Sequence, residues 1–293
     1  MKESVRKILM GIMAIGFLAG MVVLIYPLFS NLWNEYVYDI KFQEYQYEVA
    51  EKLTDEGLAD EWEKAHDYND ELQPIIIPDS FAQSSVNEER EDYTLYMSCL
   101  NVDGDGDGIM GYLSIPKIEV TLPIYHTTSE DVLQKGAGHV QGSSLPAGGE
   151  STHAAIAAHR GLPTASMFTD LDQLEIGDQF YLYILDDVLA YEVDQILVVE
   201  PDDTSALAVE EGQDYVTLIT CTPYAINSQR LLVRGHRVEY SAQAESEQAE
   251  NISHSANTNY AGWILIGMFA TGVLMFISGM LIHRLRTRKA GRR

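Results

Sequence analysis

Two long apolar runs lie near the ends of the chain, and shorter hydrophobic runs fill the region between them. Residues 8–30 and 262–282 contain no charged side chain. Each run is long enough to cross a hydrocarbon core of ~30 Å as a helix. A cleaved signal peptide is the alternative for the first run, but bulky residues 26–29 stand where a small-residue cleavage site is expected. We therefore predict a transmembrane helix at each end of the chain.

The charged segments outside these runs predict the orientation of the chain in the membrane. Residues 1–7 hold three basic side chains, and residues 283–293 hold six basic side chains and no acid. Lys and Arg next to a span tend to remain in the cytoplasm. We predict a two-pass plasma-membrane protein with both termini cytoplasmic and residues 31–261 on the extracellular face.

The hydrophobic spacing changes between the two spans. Aromatic, leucine and alanine side chains recur among charged ones in residues 32–73, which predicts a helical segment ending at Pro74. From residue 110 onward, short β-branched and aromatic runs alternate with turn signals, as is typical of strands. We divide the extracellular region into a helical extension followed by a mixed, acidic segment (31–109, the range that also holds the lid residues discussed below), a β domain (110–240) and a flexible tether poor in large apolar side chains (241–261).

The predicted strands indicate the fold of the β domain. They are GYLSIPKIEVTLPIYH, STHAAIAAH, DQFYLYIL, LAYEVDQILVVEP, DYVTLITCTP and RLLVRGHRVEY. Short strands at this spacing indicate a closed or nearly closed β-barrel. FTDLDQL, between the second and third runs, predicts a short helix or turn. The expected fold class is mainly β with short helices.

The charge of the extracellular region is strongly acidic. The whole chain has a net charge of −25, yet nine of its 19 basic residues lie in the two terminal segments. Such a surface excludes binding to nucleic acid or to anionic headgroups by charge. It suits a soluble domain held outside a membrane, and it could attract basic partners weakly.

A run of aspartates precedes the first predicted strand. Asp103, Asp105 and Asp107 have the spacing that opens an EF-hand calcium loop. That loop needs a bidentate Glu at its twelfth position, and here the twelfth residue is Ser114. We predict a turn-rich loop without a metal site, and weak calcium binding is the alternative.

Cys221 is one of only two cysteines, and its surroundings favour a nucleophile. It follows the strand predicted for residues 215–220, and Arg230 comes nine residues later at the start of the next strand. A hairpin would bring the guanidinium near the thiol. A cationic neighbour favours the reactive thiolate and supplies donors for a developing oxyanion.

A cysteine that transfers acyl groups also needs a proton donor for the leaving amine. Of the eight histidines, four lie in the helical segment, the tether, the tail or far along the outgoing strand. His126, His139, His153 and His159 remain. We favour His159 because it ends the strand STHAAIAAH beside a turn; from the residues alone, a structural histidine of the barrel is an equal alternative.

Several phrases together resemble the class C sortases, the group that polymerises pilins. The phrases are TLITC, LPIYH, GAGHVQGSSLPAGGESTHAAIAAHRGLP, MFTDLDQL and TCTPYAINSQRLLVRG. The resemblance covers residues 75–240 closely, and the two predicted spans agree with it. It implies a sortase-like closed barrel of about eight strands.

The resemblance also implies a reaction and its residues. Cys221 would attack an LPXTG-like sorting signal between Thr and Gly and form a thioacyl intermediate. His159 would act as acid and base, Arg230 would hold substrate and stabilise the oxyanion, and Thr220 is a possible oxyanion or substrate support. The acceptor would be a lysine amine of the next pilin subunit, with no cofactor. The expected partners are pilins or other surface proteins with such signals, and the lipid bilayer through two helices.

The family further implies a lid over the cleft, usually Asp-Pro followed by an aromatic residue. This chain has Asp79, Ser80 and Phe81, so a serine replaces the proline. Asp79 would face Arg230 and Phe81 would cover Cys221; a plain surface loop is the alternative. A disulfide to Cys99 would block Cys221, so we expect both cysteines to be free.

Two other functions compete with pilin polymerisation. A housekeeping sortase would attach surface proteins to the cell wall, but the second span and the lid segment argue against it. A non-catalytic adhesive ectodomain would leave the set of Cys221, His159 and Arg230 unexplained.

Overall fold

The computed structural model describes most of the region between the predicted spans. The described residues are 3–72, 79–81, 88, 92–102, 108–162, 165–246, 248 and 267. The predicted second transmembrane helix, 262–282, lies outside the described residues apart from Gly267. The aspartates of the predicted loop, in 103–107, also lie outside them, as does most of the predicted tether.

The first helix joins the predicted span to the helical extension. The helices are α1 (Glu3–Lys52), α2 (Asp55–Glu71), α3 (Tyr93–Ser98) and α4 (Glu130–Leu133). α1 runs for 50 residues and continues through Pro27 without ending. Within the described residues it is the one helix whose length and composition would allow it to cross a membrane.

The helical extension divides at a cap that the hydrophobic pattern did not reveal. The single helical segment predicted for residues 32–73 is in fact the end of α1 followed by α2. Thr54 separates them, and its hydroxyl accepts a hydrogen bond from the backbone N–H of Gly57 (3.2 Å). Capping of this kind satisfies an N–H group that has no partner within the helix, so it fixes where α2 begins.

The predicted closed barrel is confirmed. Its eight strands are β1 (Ile109–Ile115), β2 (Val120–Tyr125), β3 (Ala137–His139), β4 (Thr152–Ala157), β5 (Gln179–Ile184), β6 (Asp187–Val199), β7 (Asp214–Thr222) and β8 (Gln229–Val238). They close in the order β1-β2-β3-β4-β7-β8-β6-β5. α1 packs on the outside, where Phe42 and Tyr45 contact the ring of Tyr112.

The two faces of the central strands serve different purposes. In β7, Val216 and Leu218 belong to the large buried cluster that fills the barrel. Ile219 belongs to a second apolar cluster. Because successive side chains in a strand point to opposite faces, Cys221 shares the face of Ile219. The candidate nucleophile therefore lies outside the packed interior.

Among the strands and α-helices of the described residues, three short elements were not predicted: β3, α3 and α4. β3 has only three residues; Gly136 precedes it and Gly138 is its middle residue. A Cβ at Gly138 would lie 2.3 Å from the carbonyl oxygen of Thr127, so this strand approaches the adjoining loop too closely for a side chain. α4 is a single turn, which is too short for a helical period to appear in the sequence.

Candidate active site

The β7–β8 hairpin places Cys221 directly opposite Arg230. The two residues are register partners in the antiparallel ladder. Sequence analysis placed Cys221 after its strand, but β7 continues through Thr222, which pairs with Gln229. The connecting loop is shorter than expected because the ladder extends by one residue pair beyond the cysteine. Both site residues are thus held by backbone pairing.

His159 reaches the same place from a strand far away in sequence. It lies two residues beyond the end of β4, which pairs with β7 in parallel, Ala157 opposite Ile219. The backbone N–H of Ala158 donates to the Ile219 carbonyl (3.1 Å). Continuing this register by two residues aligns His159 with Cys221. The parallel pairing of β4 with β7 therefore brings the candidate acid/base beside the candidate nucleophile.

Thr220 lies on the opposite face of β7 from Cys221. Its side chain is fully buried, and its hydroxyl donates to the carbonyl oxygen of Ala158 (2.8 Å). The hydroxyl proton is therefore used to join β7 to the end of β4. This contact gives Thr220 a structural task between the two strands that carry Cys221 and His159.

Asp79 and Arg230 form an ion pair at the mouth of the site. Oδ1 of Asp79 accepts from Nε of Arg230 (3.0 Å) and from Nη2 (2.7 Å). The same oxygen accepts from the backbone N–H of Phe81 (3.2 Å), which closes a tight turn. Asp79 has a φ of 61°, a left-handed conformation that aspartate tolerates better than most residues. The turn forms with serine at position 80.

The ring of Phe81 lies between the side chains of His159 and Arg230. Its centroid is 5.8 Å from the His159 ring centroid and 5.3 Å from Cζ of Arg230. Phe81 also packs on the second apolar cluster, whose residue Ile219 lies on the same face of β7 as Cys221. The cluster consists of Leu133, Val140, Ala155, Ala157, Leu207, Ile219 and Leu232. We call the surface made by this cluster and Cys221 the groove. Segment 79–81 contacts Arg230, His159 and the apolar cluster.

Burial and charge act against each other at Cys221. Burial raises the pKa of its thiol, the Arg230 guanidinium lowers it, and the Asp79 carboxylate raises it again. The net direction is upward. One of these causes, the Asp79 carboxylate, belongs to segment 79–81, whereas Arg230 belongs to the hairpin itself.

The imidazole of His159 is half-buried and has a free nitrogen. Burial lowers the pKa of His159, and the carboxylate of Glu130 opposes that shift. Nε2 lies 3.8 Å from Oε1 of Glu130, which is too long for a hydrogen bond. Within the described residues Nε2 has no hydrogen-bond partner. Nε2 is itself buried, so a substrate would reach it only after the side chains around it move.

The other three candidate histidines form hydrogen bonds within the barrel wall. His126 contacts the carbonyls of Gly108 and Cys99. His139 is completely buried against Ser144, and burial lowers its pKa to about 4. His153 contacts Ala208. The rings of these three histidines thus bond to backbone carbonyl oxygens, whereas Nε2 of His159 has no hydrogen-bond partner among the described residues.

Both cysteines are free, as expected. Cys99 is fully buried beneath α3, where its Sγ donates to the carbonyl of Leu95 (3.3 Å). Burial raises the pKa of Cys99 to about 11. Cys99 is therefore a packing residue with little thiolate.

Two residues near the site were missed from the sequence. Glu130 begins α4 and faces His159, but its position in the chain gives no sign of that contact. Arg160 is 8% exposed and donates through Nη1 to the hydroxyl of Thr222 (3.1 Å). Its place directly after the candidate histidine, in the phrase His-Arg-Gly, is a signal that could have drawn attention to it.

Comparisons of the sequence and of the structure with known proteins identify the same family. A family model described as "Sortase domain" matches residues 113–238. Sortase D of Bacillus subtilis (strain 168) is 33% identical over 131 residues, which is 44% of this chain and 63% of that protein. The match thus spans less than two thirds of that curated relative.

Solved structures match over nearly their whole length. Sortase C of Streptococcus pneumoniae is 45% identical with a TM-score of 0.60, covering 69% of this chain and 97% of that structure. Sortase C-1 from Actinomyces oris is 45% identical with a TM-score of 0.59, covering 63% and 99%. The predicted resemblance is confirmed: this chain belongs to the sortase family, and these structural neighbours are class C sortases.

Proposed function

We propose that this chain is a membrane-anchored cysteine transpeptidase that joins pilin subunits. The observation that carries the proposal is the meeting of Cys221, Arg230 and His159 at adjoining strand ends beside an apolar groove. The first anchor would be α1, whose exposed apolar half suits a lipid environment. The second anchor, residues 262–282, and the extracellular position of the barrel rest on the hydrophobic and charge pattern of the sequence.

The first half of the reaction would transfer an acyl group to the enzyme. The thiolate of Cys221 attacks the threonine carbonyl carbon of an LPXTG-like sorting signal, and the carbonyl oxygen becomes an oxyanion. Arg230 stabilises that charge with guanidinium donors. The C–N bond to glycine then breaks as His159 gives its proton to the leaving amine. A thioester between Cys221 and threonine remains.

The second half would transfer the acyl group to a lysine. The ε-ammonium of a lysine on the next subunit loses one proton to solvent, and the free amine attacks the thioester carbonyl while neutral His159 takes the second proton from the attacking nitrogen. The C–S bond breaks and an amide to the lysine side chain forms. Cys221 leaves as a thiolate and His159 is protonated again, so the site returns to its starting state.

Segment 79–81 would keep the site at rest. Arg230 makes four hydrogen bonds, two to Asp79 and two to the carbonyls of Asn227 and Gln229. A guanidinium has five N–H donors, so few are left for an oxyanion while Asp79 stays bound. Movement of the segment would expose donors on Arg230 and uncover Cys221 together.

The apolar floor beside Cys221 supports a substrate with apolar residues ahead of its scissile bond. Phe81 fills this groove in the absence of substrate, packing against the second apolar cluster. Among the structural neighbours, the pneumococcal enzyme is described in terms of pilin substrate specificity, and a group B streptococcal enzyme is described as pilus-related. These descriptions favour a pilin over a cell-wall acceptor for this chain.

The test is to trap the acyl intermediate. Protein incubated with an LPXTG peptide is analysed by intact mass spectrometry, and we expect a thioester adduct on Cys221. Cys221→Ala is the negative control, and Cys99→Ala is the matched cysteine control that keeps the adduct. An adduct that persists in Cys221→Ala, or its absence from the wild type, would contradict the mechanism.

The acceptor is tested separately. A pilin domain bearing a lysine and a peptidoglycan-type amine are offered in competition to the acylated enzyme. We expect an isopeptide product with the pilin. Preferential transfer to the peptidoglycan-type amine would point to a housekeeping role.

A further inference from the structure

The strand ends that carry His159 and Cys221 are joined on both sides of the site. On the inner side, Ala158 and Thr220 are linked by the threonine hydroxyl, as described above. On the outer side, Arg160 and Thr222 directly follow His159 and Cys221 in the chain. Arg160 donates a hydrogen bond to the hydroxyl of Thr222 (3.1 Å). The backbone ladder between β4 and β7 has already ended at this point. The hydrogen bond between Arg160 and Thr222 therefore lies beyond the last backbone pair of the two strands.

Arg160 is itself held firmly by the loop that follows β4. Its Nε donates to the carbonyl of Thr169 (3.1 Å), and its Nη2 pairs with the carboxylate of Asp172. The same loop is closed onto the site by the N–H of Phe168, which donates to the carbonyl of His159 (3.1 Å). With 8% of its side chain exposed, Arg160 is a largely buried cation whose three nitrogens all have partners.

We propose that Arg160 is a positioning residue, which acts through Thr222 to keep His159 and Cys221 at a fixed separation. The inference rests on the proposed function, because the two groups need a defined distance only if one transfers protons for the other. Reacting groups must lie within a few tenths of an ångström of their productive geometry, and a displacement of 1 Å costs on the order of 100-fold in rate.

The arrangement favours this role over simple stabilisation of the loop. Asp172 and the Thr169 carbonyl would hold the guanidinium on the loop without help from β7. The bond to Thr222 is the hydrogen bond that Arg160 adds between the loop and the cysteine strand. Because Thr222 directly follows Cys221 in the chain, loss of this bond leaves the core and the β7–β8 ladder intact and removes a tie between the end of β7 and the segment that carries His159.

Thr222→Val is the decisive variant. It removes the hydroxyl acceptor with nearly the same side-chain volume and leaves Arg160 bound to the loop. We expect kcat for peptide cleavage to fall about tenfold with KM nearly unchanged, since alignment is lost and the groove is not altered. Thr222→Ser keeps a hydroxyl and should restore most of kcat. Thr121→Val on β2 is the matched control and should retain wild-type kcat.

A double-variant cycle tests whether the two residues act through one contact. Arg160→Lys keeps the charge but loses the planar fork of donors, so it should also lower kcat. If both act through the same bond, Arg160→Lys with Thr222→Val should be no slower than the slower single variant. Multiplication of the two losses would overturn the proposal, as would wild-type kcat in Thr222→Val.

Failure of this inference is distinguishable from failure of the proposed function. The rate of Cys221 alkylation by iodoacetamide against pH needs no sorting signal, and we expect Thr222→Val to shift this profile relative to wild type while Thr121→Val does not. If the wild type cleaves no peptide, the proposed function fails whatever the variants do. If the wild type cleaves and Thr222→Val keeps wild-type kcat, only the role of Arg160 and Thr222 is refuted.

Discussion

The strand ends of the barrel and segment 79–81 meet at the same site but are held there in different ways. Cys221 and Arg230 lie within a continuous backbone ladder, and His159 follows another strand of the same sheet. Asp79 and Phe81 reach the site through side-chain contacts to Arg230 and His159. A charge-assisted hydrogen bond contributes on the order of 1.5–3 kcal/mol net. The segment can therefore leave the site at modest cost while the strand residues keep their relative positions.

The site therefore has two parts, the strand residues and segment 79–81, which substitutions can change separately. Arg230 belongs to both, because it pairs with Cys221 in the ladder and with Asp79 through its side chain. Substitutions on the strands should damage the reaction, and substitutions in the segment should increase access to it.

Arg230→Lys should produce the largest effect, because it breaks the link between the two regions. A lysine keeps the positive charge but lacks the planar set of donors that reaches both Asp79 and an oxyanion. We expect kcat/KM for LPXTG-peptide cleavage to fall on the order of 100-fold. Arg237→Lys at the far end of β8 is the matched control. A loss below tenfold in Arg230→Lys would exclude a direct role in the transition state.

Phe81→Ala should act in the opposite direction. If the ring covers Cys221 as proposed, its removal exposes the thiol, and because burial is the largest cause of the raised pKa of Cys221, that pKa should move downward. We expect the pH midpoint of iodoacetamide labelling to shift to lower pH. Peptide turnover should rise several-fold, which corresponds to an activation barrier lower by ~1 kcal/mol.

Tyr47→Ala, which removes an exposed aromatic ring from α1, is the control for Phe81→Ala. It should leave labelling and turnover unchanged. Equal labelling profiles for Phe81→Ala and the wild type would show that segment 79–81 does not restrict access to the thiol.

Glu130→Gln should have the smallest effect. The carboxylate raises the pKa of His159 against the effect of burial, so its removal should lower that pKa further. The acidic midpoint of the pH–rate profile would then move to lower pH, and the maximal rate would fall less than about twofold, as expected for an exposed pair. Asp131→Asn removes a neighbouring charge on α4 and should not move the midpoint. An unchanged profile in Glu130→Gln would show that the contact has no influence on the imidazole.

The sequence predicts the local part of this site better than the distant part. Cys221 and Arg230 are nine residues apart on one hairpin, so their meeting follows from strand alternation and a turn. His159 meets them through the parallel pairing of β4 with β7, which joins segments some sixty residues apart and leaves no periodic signal. Recognition of the family motifs supplied what spacing alone left open among four histidines.

Other features depend on contacts that no single segment encodes. The link from Arg160 to Thr222 requires two strand ends to be neighbours, and the approach of Glu130 to His159 requires α4 to sit over the groove. The hydrophobic pattern also placed no boundary between Leu53 and Asp55, because a helix cap depends on one hydroxyl and not on periodicity. The closed barrel was predictable because most of its strands are short runs of β-branched and aromatic residues separated by turn signals.

The unbroken α1 has a mechanical consequence. From Ser30 to Tyr45, the first fully buried contact with the barrel, the helix rises about 22 Å at 1.5 Å per residue. A continuous helix has no hinge along this distance. If the apolar half of α1 is fixed in the bilayer, the rest of the helix is a rigid support that holds the groove at a fixed distance from the lipid surface. Substrates anchored in the same bilayer would need to present their sorting signals within that narrow layer.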